Sequence, residues 1–244
     1  MIAQVRESAG GTVLVVDSGD TLFGNTPADM EQAPLLVAAM NAMQYDALAL
    51  GELDLGAPLA ELQARLQEAS FAVLSANVGP AGTLQLQPYL LRQVEGHTVA
   101  LVGATSPTAQ QRSGTLGVAL AVEDPVQAVQ RTVDGLQGQA DVIVVLSNLS
   151  QELNHRLATE VAGLDAILGV YGGDIYQAQA VQGPAGMVVL QAPGREGQAV
   201  GVLNLYLDTA GQVVNYGGEI RLLTPEYEND PGMVELLQKY GVQP

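Results

Sequence analysis

The sequence predicts an α/β protein, a four-layer α/β/β/α sandwich in which a mixed sheet packs against a second sheet with helices outside. Strand-like and helix-like segments alternate through the first part of the chain, and residues 178–223 then read as one strand after another. Hydrophobic residues make up 48% of the chain and aromatics only 4%. That composition suits parallel strands of aliphatic residues covered by helices.

Each strand is predicted from an apolar run and each helix from its capping residues. The first strand begins at Thr12 and ends at Val16. Further strands are predicted at 46–50, 71–75, 84–94, 98–102, 141–146 and 165–168, with a hairpin turn at 208–211. Helices are predicted at 27–43 and 58–69, and others begin after Asp124, Ser150 and Asp230. No internal repeat or linker interrupts this order, so a single domain over 1–244 is expected.

The charge balance excludes several classes of partner. The formal net charge is −17, with only nine Lys and Arg, and such a surface repels nucleic acid and anionic lipid head groups. No uninterrupted apolar run approaches about 18 residues, so membrane insertion is not expected. Cysteine is absent, which removes disulfides, thiolate nucleophiles and cysteine-based zinc sites. These features assign no localisation.

Polar loops follow several of the predicted strands, where the functional edge of a parallel sheet lies. They are Asp17-Ser18-Gly19-Asp20, Gly51-Glu52-Leu53-Asp54, Ser147-Asn148-Leu149-Ser150 and the segment from Gly169 to Asp174. We expect them to converge on one rim of the domain.

The order of these loops resembles the metallophosphoesterase domain of bacterial 5′-nucleotidases. The resembling segments are Val15-Val16-Asp17-Ser18-Gly19-Asp20, Asn41 to Ala47, Leu74-Ser75-Ala76-Asn77-Val78, Gln87-Pro88-Tyr89, Asp141 to Ser147, Gly163 to Gly169, and Gln191 to Leu203. The resemblance implies the sandwich of the metallophosphoesterase type. It also implies that the chain starts inside the helix that follows the family's Asp-x-His strand and lacks the nucleotide-binding C-terminal domain. Periplasmic or cell-surface residence is implied by the resemblance alone.

The same resemblance indicates which positions match the family's two-metal site. Asp20 matches the bridging aspartate, and Asp54 matches the aspartate that orients the catalytic histidine of the G-N-H-E-F-D loop. Asn148 stands where the family has the histidine of S-H-x-G, and Val170, Tyr171 and Gly172 replace its G-H-x-H. With the loop shortened to Gly51-Glu52-Leu53-Asp54, the matching residues are vestigial ligands (Asp17, Asp20, Glu52, Asn148) and a vestigial catalytic Asp54.

A structural role is the competing interpretation of each of these residues. Asp17 and Asp20 can serve as turn formers or helix caps, and Glu52 and Asp54 as solvated loop residues. The glycines of the segment 169–174 indicate a turn. His97, in the predicted hairpin turn, and His155, off the apolar helix stripe, are expected on the surface.

The leading hypothesis is a degenerate, non-catalytic phosphoesterase-fold domain that acts as a binding or structural module. The alternative is an active metal-dependent phosphoester or nucleotide hydrolase whose N-terminal metal-binding strand is missing from this chain. A third hypothesis is a small-ligand binder that uses the old pocket without metal. No cofactor is expected beyond weak divalent metal at Asp17, Asp20 and Glu52. A protein partner or neighbouring domain is expected to cover the free edge of the strand from Thr12 to Val16.

Overall fold

A computed structural model of the protein describes residues 1–24, 27–80, 82, 84–169, 175–194 and 197–243. The helices are α1 (Ile2–Ser8), α2 (Pro27–Ala42), α3 (Leu59–Glu68), α4 (Ser113–Leu116), α5 (Pro125–Leu136), α6 (Gln151–Glu160) and α7 (Pro231–Lys239). The strands are β1 (Val16–Asp17), β2 (Ala47–Ala49), β3 (Ala72–Leu74), β4 (Tyr89–Val94), β5 (His97–Ala104), β6 (Val142–Ser147), β7 (Ala166–Leu168), β8 (Ile175–Gln182), β9 (Met187–Pro193), β10 (Ala199–Leu207) and β11 (Val213–Leu222).

The strands of the described residues form sheets of three, six and two strands. The three-stranded sheet is parallel and has the order β1-β2-β3. The six-stranded sheet has the order β4-β5-β6-β7-β9-β8, and its edge strands β4 and β8 run antiparallel to their neighbours. Strands β10 and β11 form an antiparallel hairpin. The mixed character of the large sheet follows the predicted change from alternating elements to consecutive strands.

The alternation of side chains along β6 shows how the layers stack. Val144 and Leu146 point into an apolar core shared with the three-stranded sheet, whereas Ile143 and Val145 point into a core formed with α5 and α6. In β2, Leu48 points the other way, into a third core under α2 and α3. A strand buried on both faces is continuously apolar, which explains the unbroken run in β6.

The β10–β11 hairpin lies on the same face of the six-stranded sheet as β1, β2 and β3. Its inward side chains Leu203, Leu205 and Leu207 join the core between the sheets. The layers are therefore helices, the small sheets, the six-stranded sheet and helices again. The predicted four-layer α/β/β/α sandwich is confirmed.

The predicted helix starts at Asp124, Ser150 and Asp230 are confirmed by their capping bonds. Each side chain accepts a hydrogen bond from a backbone N–H in the first turn of its helix, those of Gln127, Leu153 and Met233 respectively. A cap of this kind stabilises a helix by about 1 kcal/mol.

The first predicted strand is shorter than expected. Only Val16–Asp17 pairs as a strand, with β2. Before it, the Val15 N–H donates to the Asp46 carboxylate at 2.9 Å, and the Asp46 N–H donates to the Val15 carbonyl at 2.7 Å. The Asp46 side chain thus takes the place of a backbone acceptor for the Val15 N–H, one residue before β2 begins.

The prediction that His97 lies in a hairpin turn is wrong. The turn is the two-residue Glu95-Gly96, and His97 begins β5, paired with Val94. His97 is half-buried, with Nδ1 3.8 Å from Asp141. Two-residue turns of this type need a positive φ at both central positions, which Glu95 (52°) and Gly96 (90°) adopt. His155 is exposed, as expected.

No helix within the described residues combines the length and the apolar character that a membrane span requires.

Asp165, in the loop before β7, is expected to make stability depend on pH. Burial raises the pKa of Asp165 to about 6. The hydrogen bond that its carboxylate accepts from the Ile143 N–H lowers the pKa, but by less than burial raises it. Between about pH 4 and pH 6 the unfolded chain loses this proton while the folded chain keeps it, so the contribution to stability is lost as pH rises.

Asp165→Asn should remove this dependence, because the amide does not titrate and its oxygen can still accept from Ile143. Urea unfolding should show that, between about pH 4 and pH 6, the free energy of unfolding falls by about 2 kcal/mol more in the wild type than in the variant. Asp134→Asn, at an exposed position on α5, is the control. Identical pH profiles for wild type and Asp165→Asn would contradict the prediction.

Candidate functional site

The loops that leave the carboxyl ends of β1, β2 and β6 meet at one rim. The Asp20 N–H donates to Asp54 Oδ2 at 3.0 Å, and the Glu52 N–H donates to Asn148 Oδ1 at 3.0 Å. Asp20, Asp54 and Asn148 therefore come together as expected. Tyr171, which was expected on the same rim, lies outside the described residues.

Asp54 joins the first two loops. Its carboxylate is completely buried and accepts three backbone hydrogen bonds. Oδ2 accepts from Asp20 and Gly51, at 3.0 and 2.8 Å, and Oδ1 accepts from Leu22 at 2.7 Å. The prediction that Asp54 is a solvated loop residue is wrong, because its loop folds back as a short 3-10 helix (Leu53–Leu55) that directs the side chain inward.

The environment of Asp54 favours its neutral form. Burial raises the pKa of Asp54 to about 7, and the nearby Asp20 carboxylate acts in the same direction. The hydrogen bonds from Gly51 and Leu22 oppose this shift only in part.

Asp20 is held from two sides. Its Oδ1 accepts from the Leu53 N–H at 2.7 Å, and the Asn148 side chain also hydrogen-bonds to it. Burial raises the pKa of Asp20 despite these bonds, while the Arg112 charge lowers it. The backbone of Asp20 is left-handed, with φ of 63°, a conformation that aspartate tolerates better than most residues.

Asp17 forms the turn between β1 and Asp20. Its Oδ1 accepts from the Gly19 N–H and the Thr21 hydroxyl, both at 2.8 Å, which is an Asx-turn. Burial raises the pKa of Asp17. The turn-forming role considered for Asp17 is thus present in the structure. Burial also raises the pKa of Tyr45, close by in the same cleft, to about 12, with the Asp17 charge adding to the effect.

Two glycines allow the loops to approach this closely. A Cβ at Gly51 would lie 2.3 Å from both the backbone nitrogen and the carboxylate of Asp20. A Cβ at Gly169 would lie 2.3 Å from Ser18, and its φ of +99° also excludes most side chains. The turn expected at 169–174 lies outside the described residues except for Gly169.

Glu52 is buried in an ion pair. It is only 7% exposed, so the prediction that it is solvated is wrong. Arg112 donates to Glu52 Oε1 from Nε at 3.1 Å and from Nη2 at 2.9 Å, and the Thr108 hydroxyl donates to Oε2. A guanidinium charge therefore stands beside the carboxylates of the rim.

The Ser75-Ala76-Asn77 segment after β3 supports the rim from below. Asn77 Nδ2 donates to the Thr105 carbonyl at 2.8 Å, and the Thr105 N–H donates to Asn77 Oδ1 at 2.9 Å. The Thr105 hydroxyl then donates to the Leu50 carbonyl at 2.6 Å. These buried polar groups fix the start of the Gly51 loop.

A cleft of about 1770 Å³ opens at the rim. Asp17, Asp20, Asn148 and Arg112 line it together with Tyr45. The cleft continues over the six-stranded sheet to β10 and to the segment before α7. The site is therefore accessible to a ligand of considerable size.

The described residues of this rim offer few free ligand atoms for a two-metal centre. Within the described residues, no group of three or more His, Asp or Glu side chains is arranged to hold a metal ion. Both oxygens of Asp54, Oδ1 of Asp20 and Oδ1 of Asn148 already accept bonds from the chain. Glu52 is paired with Arg112. Val170, Tyr171 and Gly172 lie outside the described residues.

The sequence interpretation missed Arg112 and Thr108. Both belong to an unpredicted 3-10 helix (Pro107–Arg112) that continues into α4. Ser106 caps it by accepting from the Thr108 N–H, and Pro107 stands at its first position. A Ser-Pro pair is a recognised helix start, and it was the available signal for this segment.

The chain is similar in sequence to animal 5′-nucleotidases. The 5′-nucleotidase of Rattus norvegicus is 30% identical over 246 residues, which cover 91% of this chain and 42% of that protein. The 5′-nucleotidase of Homo sapiens is 29% identical over 266 residues, which cover 99% of this chain and 46% of that protein. The chain thus spans less than half the length of these relatives. No protein-family model matches it.

Solved structures of a 5′-nucleotidase precursor and of a calcineurin-like phosphoesterase share the fold of this chain. The 5′-nucleotidase precursor of Thermus thermophilus superposes with a TM-score of 0.85 and 25% identity, over 98% of this chain and 51% of that one. The calcineurin-like phosphoesterase YfkN of Bacillus subtilis gives a TM-score of 0.84 at 21% identity, over 98% of this chain and 86% of that one, and is alike in fold. The chain is thus similar in sequence to 5′-nucleotidases and has the fold of their metallophosphoesterase domain.

Proposed function

We propose that this chain is a degenerate, non-catalytic 5′-nucleotidase-like domain that acts as a binding or structural module. One observation carries the proposal. Side-chain atoms at positions that match the family's metal ligands, and at the position of the aspartate that orients its catalytic histidine, already accept hydrogen bonds from this chain. Asp54 accepts three backbone N–H groups, and Asn148 Oδ1 accepts from Glu52.

Metal binding at Asn148 would compete with the bond that its Oδ1 accepts from the Glu52 N–H. Leaving the buried Glu52 N–H without this acceptor would cost roughly 1–3 kcal/mol. Two-metal chemistry also needs ligands that hold both ions beside the phosphoryl oxygens. An amide at Asn148 and a leucine at position 53 supply neither a strong ligand nor an acid for the leaving group.

Arg112 gives a further reason. A fixed guanidinium beside Glu52 supplies positive charge without a metal ion, and it also acts on Asp20. This ion pair takes up the carboxylate that would otherwise be available to a divalent cation. Any metal binding is therefore weak, and no cofactor is needed to hold the loops together.

The second candidate is an active metal-dependent phosphoester or nucleotide hydrolase completed by a metal-binding strand outside this chain. Asp17 and Asp20, which line the cleft, favour this candidate, as does the likeness to proteins named 5′-nucleotidase. A third possibility, a metal-free binder of small ligands, is favoured by the size of the cleft.

Hydrolysis assays distinguish these candidates. The purified chain, incubated with manganese or zinc, should show no metal-dependent hydrolysis of adenosine monophosphate or p-nitrophenyl phosphate, because uncatalysed phosphomonoester hydrolysis is extremely slow and the terms that accelerate it are missing. Metal analysis of the protein before and after incubation accompanies the assay. Metal-dependent turnover that survives purification and disappears in Asp20→Ala would overturn the proposal.

Asp54→Ala should destabilise the fold strongly. The change leaves the N–H groups of Asp20, Leu22 and Gly51 without their acceptor, at an expected cost of about 3 kcal/mol or more in the free energy of unfolding. Asp124→Ala removes an exposed carboxylate that accepts a single N–H at the start of α5 and should cost about 1 kcal/mol. Urea unfolding measures both. Equal losses would show that Asp54 is no structural anchor.

Arg112→Met should leave Glu52 buried without its charge partner, at a cost of about 2 kcal/mol in unfolding free energy. Adding Glu52→Gln should recover much of that loss, because the neutral amide needs no counter-charge. Arg131→Met, which breaks the exposed pair with Glu123, is the matched control and should change stability by less than about 1 kcal/mol. Absence of any recovery in the double variant would contradict a charge interaction.

A further inference from the structure

An aspartate directly precedes three of the parallel strands, at the end of the sheets opposite the rim. It is Asp46 before β2, Asp141 before β6 and Asp165 before β7. The loops that leave the other ends of these strands border the cleft. The strands themselves therefore connect the aspartates to the rim.

Each aspartate makes the same pair of hydrogen bonds with one residue on the neighbouring strand or directly before it. In each pair, the aspartate N–H donates to the carbonyl of that residue, and Oδ2 of the aspartate accepts from its N–H. The side chain thus supplies the acceptor that a longer strand would supply from its backbone. With the two distances in that order, the pairs are Asp46 with Val15 (2.7 and 2.9 Å), Asp141 with Thr98 (2.8 and 2.7 Å) and Asp165 with Ile143 (3.0 and 2.8 Å).

Two of the aspartates also bond to a third strand. The Asp46 carbonyl accepts from the Ala72 N–H of β3 at 3.1 Å. The Asp165 carbonyl accepts from the Val189 N–H of β9 at 2.9 Å. Asp46 therefore joins the starts of β1, β2 and β3, and Asp165 joins β6, β7 and β9.

The apolar pattern of these strands specifies their register only weakly. β2 and β6 are buried at every position, and β7 consists of Ala166, Ile167 and Leu168. A strand with one buried face is held in register because a slip turns its apolar side chains to solvent. A strand that is apolar on both faces lacks this constraint. β2 and β7 have only three residues each, so few ladder bonds oppose a slip.

The carboxylate of Asp165 opposes a slip of β7 in both directions. A slip toward the rim would carry the carboxylate among the buried apolar side chains of the sheet, which is unfavourable for a polar group without partners. A slip away from the rim would leave the N–H of the buried Ile143 without its acceptor.

The register of β7 determines where the loop after it lies. A slip of two residues would move that loop by about 6.6 Å. The Gly169 carbonyl accepts from Asn154 Nδ2 at 2.9 Å, and a Cβ at Gly169 would lie 2.3 Å from Ser18. Contacts as close as these require one register.

We propose that Asp46, Asp141 and Asp165 are positioning residues, which set the register of β2, β6 and β7 and thereby place the loops of the rim. The inference goes beyond the proposed function, because the loops need their positions whether the rim binds a ligand or hydrolyses one. It can fail while the absence of turnover stands.

Asp165→Ala tests the proposal by amide hydrogen exchange measured with NMR. The Gly169 N–H donates to the Gln191 carbonyl at 2.9 Å, so its exchange reports the position of the loop after β7. Exchange at Gly169 should accelerate at least about tenfold relative to exchange at Leu101, in the middle of β5. Asp165→Asn should restore the wild-type ratio, because its amide oxygen can still accept from Ile143.

Asp124→Ala is the matched control, since it removes a carboxylate that accepts one backbone N–H, from Gln127 at 3.0 Å. It should leave the ratio of exchange at Gly169 to exchange at Leu101 unchanged. An unchanged ratio in Asp165→Ala would overturn the proposal and leave side-chain packing as the determinant of register. Equal acceleration in Asp124→Ala, or no restoration in Asp165→Asn, would also overturn it.

Asp141→Ala provides the same test if Asp165→Ala fails to fold, because the Asp141 side chain is more exposed, at 43%. Its effect is measured at the Asn148 N–H, which donates to the Ala104 carbonyl at 2.8 Å. Exchange there should accelerate at least about threefold relative to Leu101 and return to the wild-type value in Asp141→Asn. Unchanged exchange at Asn148 would overturn the proposal.

The unaltered protein supplies a third measurement. The Val15 and Thr98 amides are only half-buried and donate to carboxylates. Their exchange should be at least about 100-fold slower than that of unstructured peptides. Exchange at the rate of unstructured peptides would show that the aspartate pairs do not form in solution and would overturn the proposal.

Discussion

The buried carboxyl group of Asp54 is the interaction on which the rim depends. It accepts backbone N–H groups from the loop after β1 and from the loop after β2, and so fixes two strand ends relative to each other. Asp20 completes a reciprocal arrangement, since its own side chain accepts from Leu53 in the second loop. Each loop therefore supplies a carboxylate to the backbone of the other.

The buried carboxylates of the rim are energetically costly in so acidic a chain. In a chain with a net charge of −17, burying acids close together costs free energy, and the raised pKa values of Asp17, Asp20 and Asp54 record that cost. Hydrogen bonds from the backbone and the guanidinium of Arg112 offset it. The groups that offset the burial of these acids therefore belong to the chain itself.

The fold could be predicted because hydrophobic period, capping residues and turn residues act locally. The aliphatic run of β6 and the cap at Ser150 were sufficient for their elements. The burial of Glu52 and Asp54 could not be predicted, because it depends on partners distant in sequence: Arg112 for Glu52, and the loop after β1 for Asp54. Acidic loop residues are solvated on average, and only a tertiary contact overrides that average. The resemblance to the family's motifs predicted that these residues lie at the rim, but it did not predict their hydrogen-bond and ion-pair partners.

β1 connects the rim to the open edge of the small sheet. The loop that carries Asp17 and Asp20 leaves the same strand whose other edge borders the cleft. The bonds that fix this loop come from the β2 side, through Asp54 and through Asp46, which accepts from Val15. The rim is therefore organised independently of whatever lies along the open edge. The carboxylates of the rim are thus held in position before any ligand enters the cleft, so little ordering of the rim opposes binding.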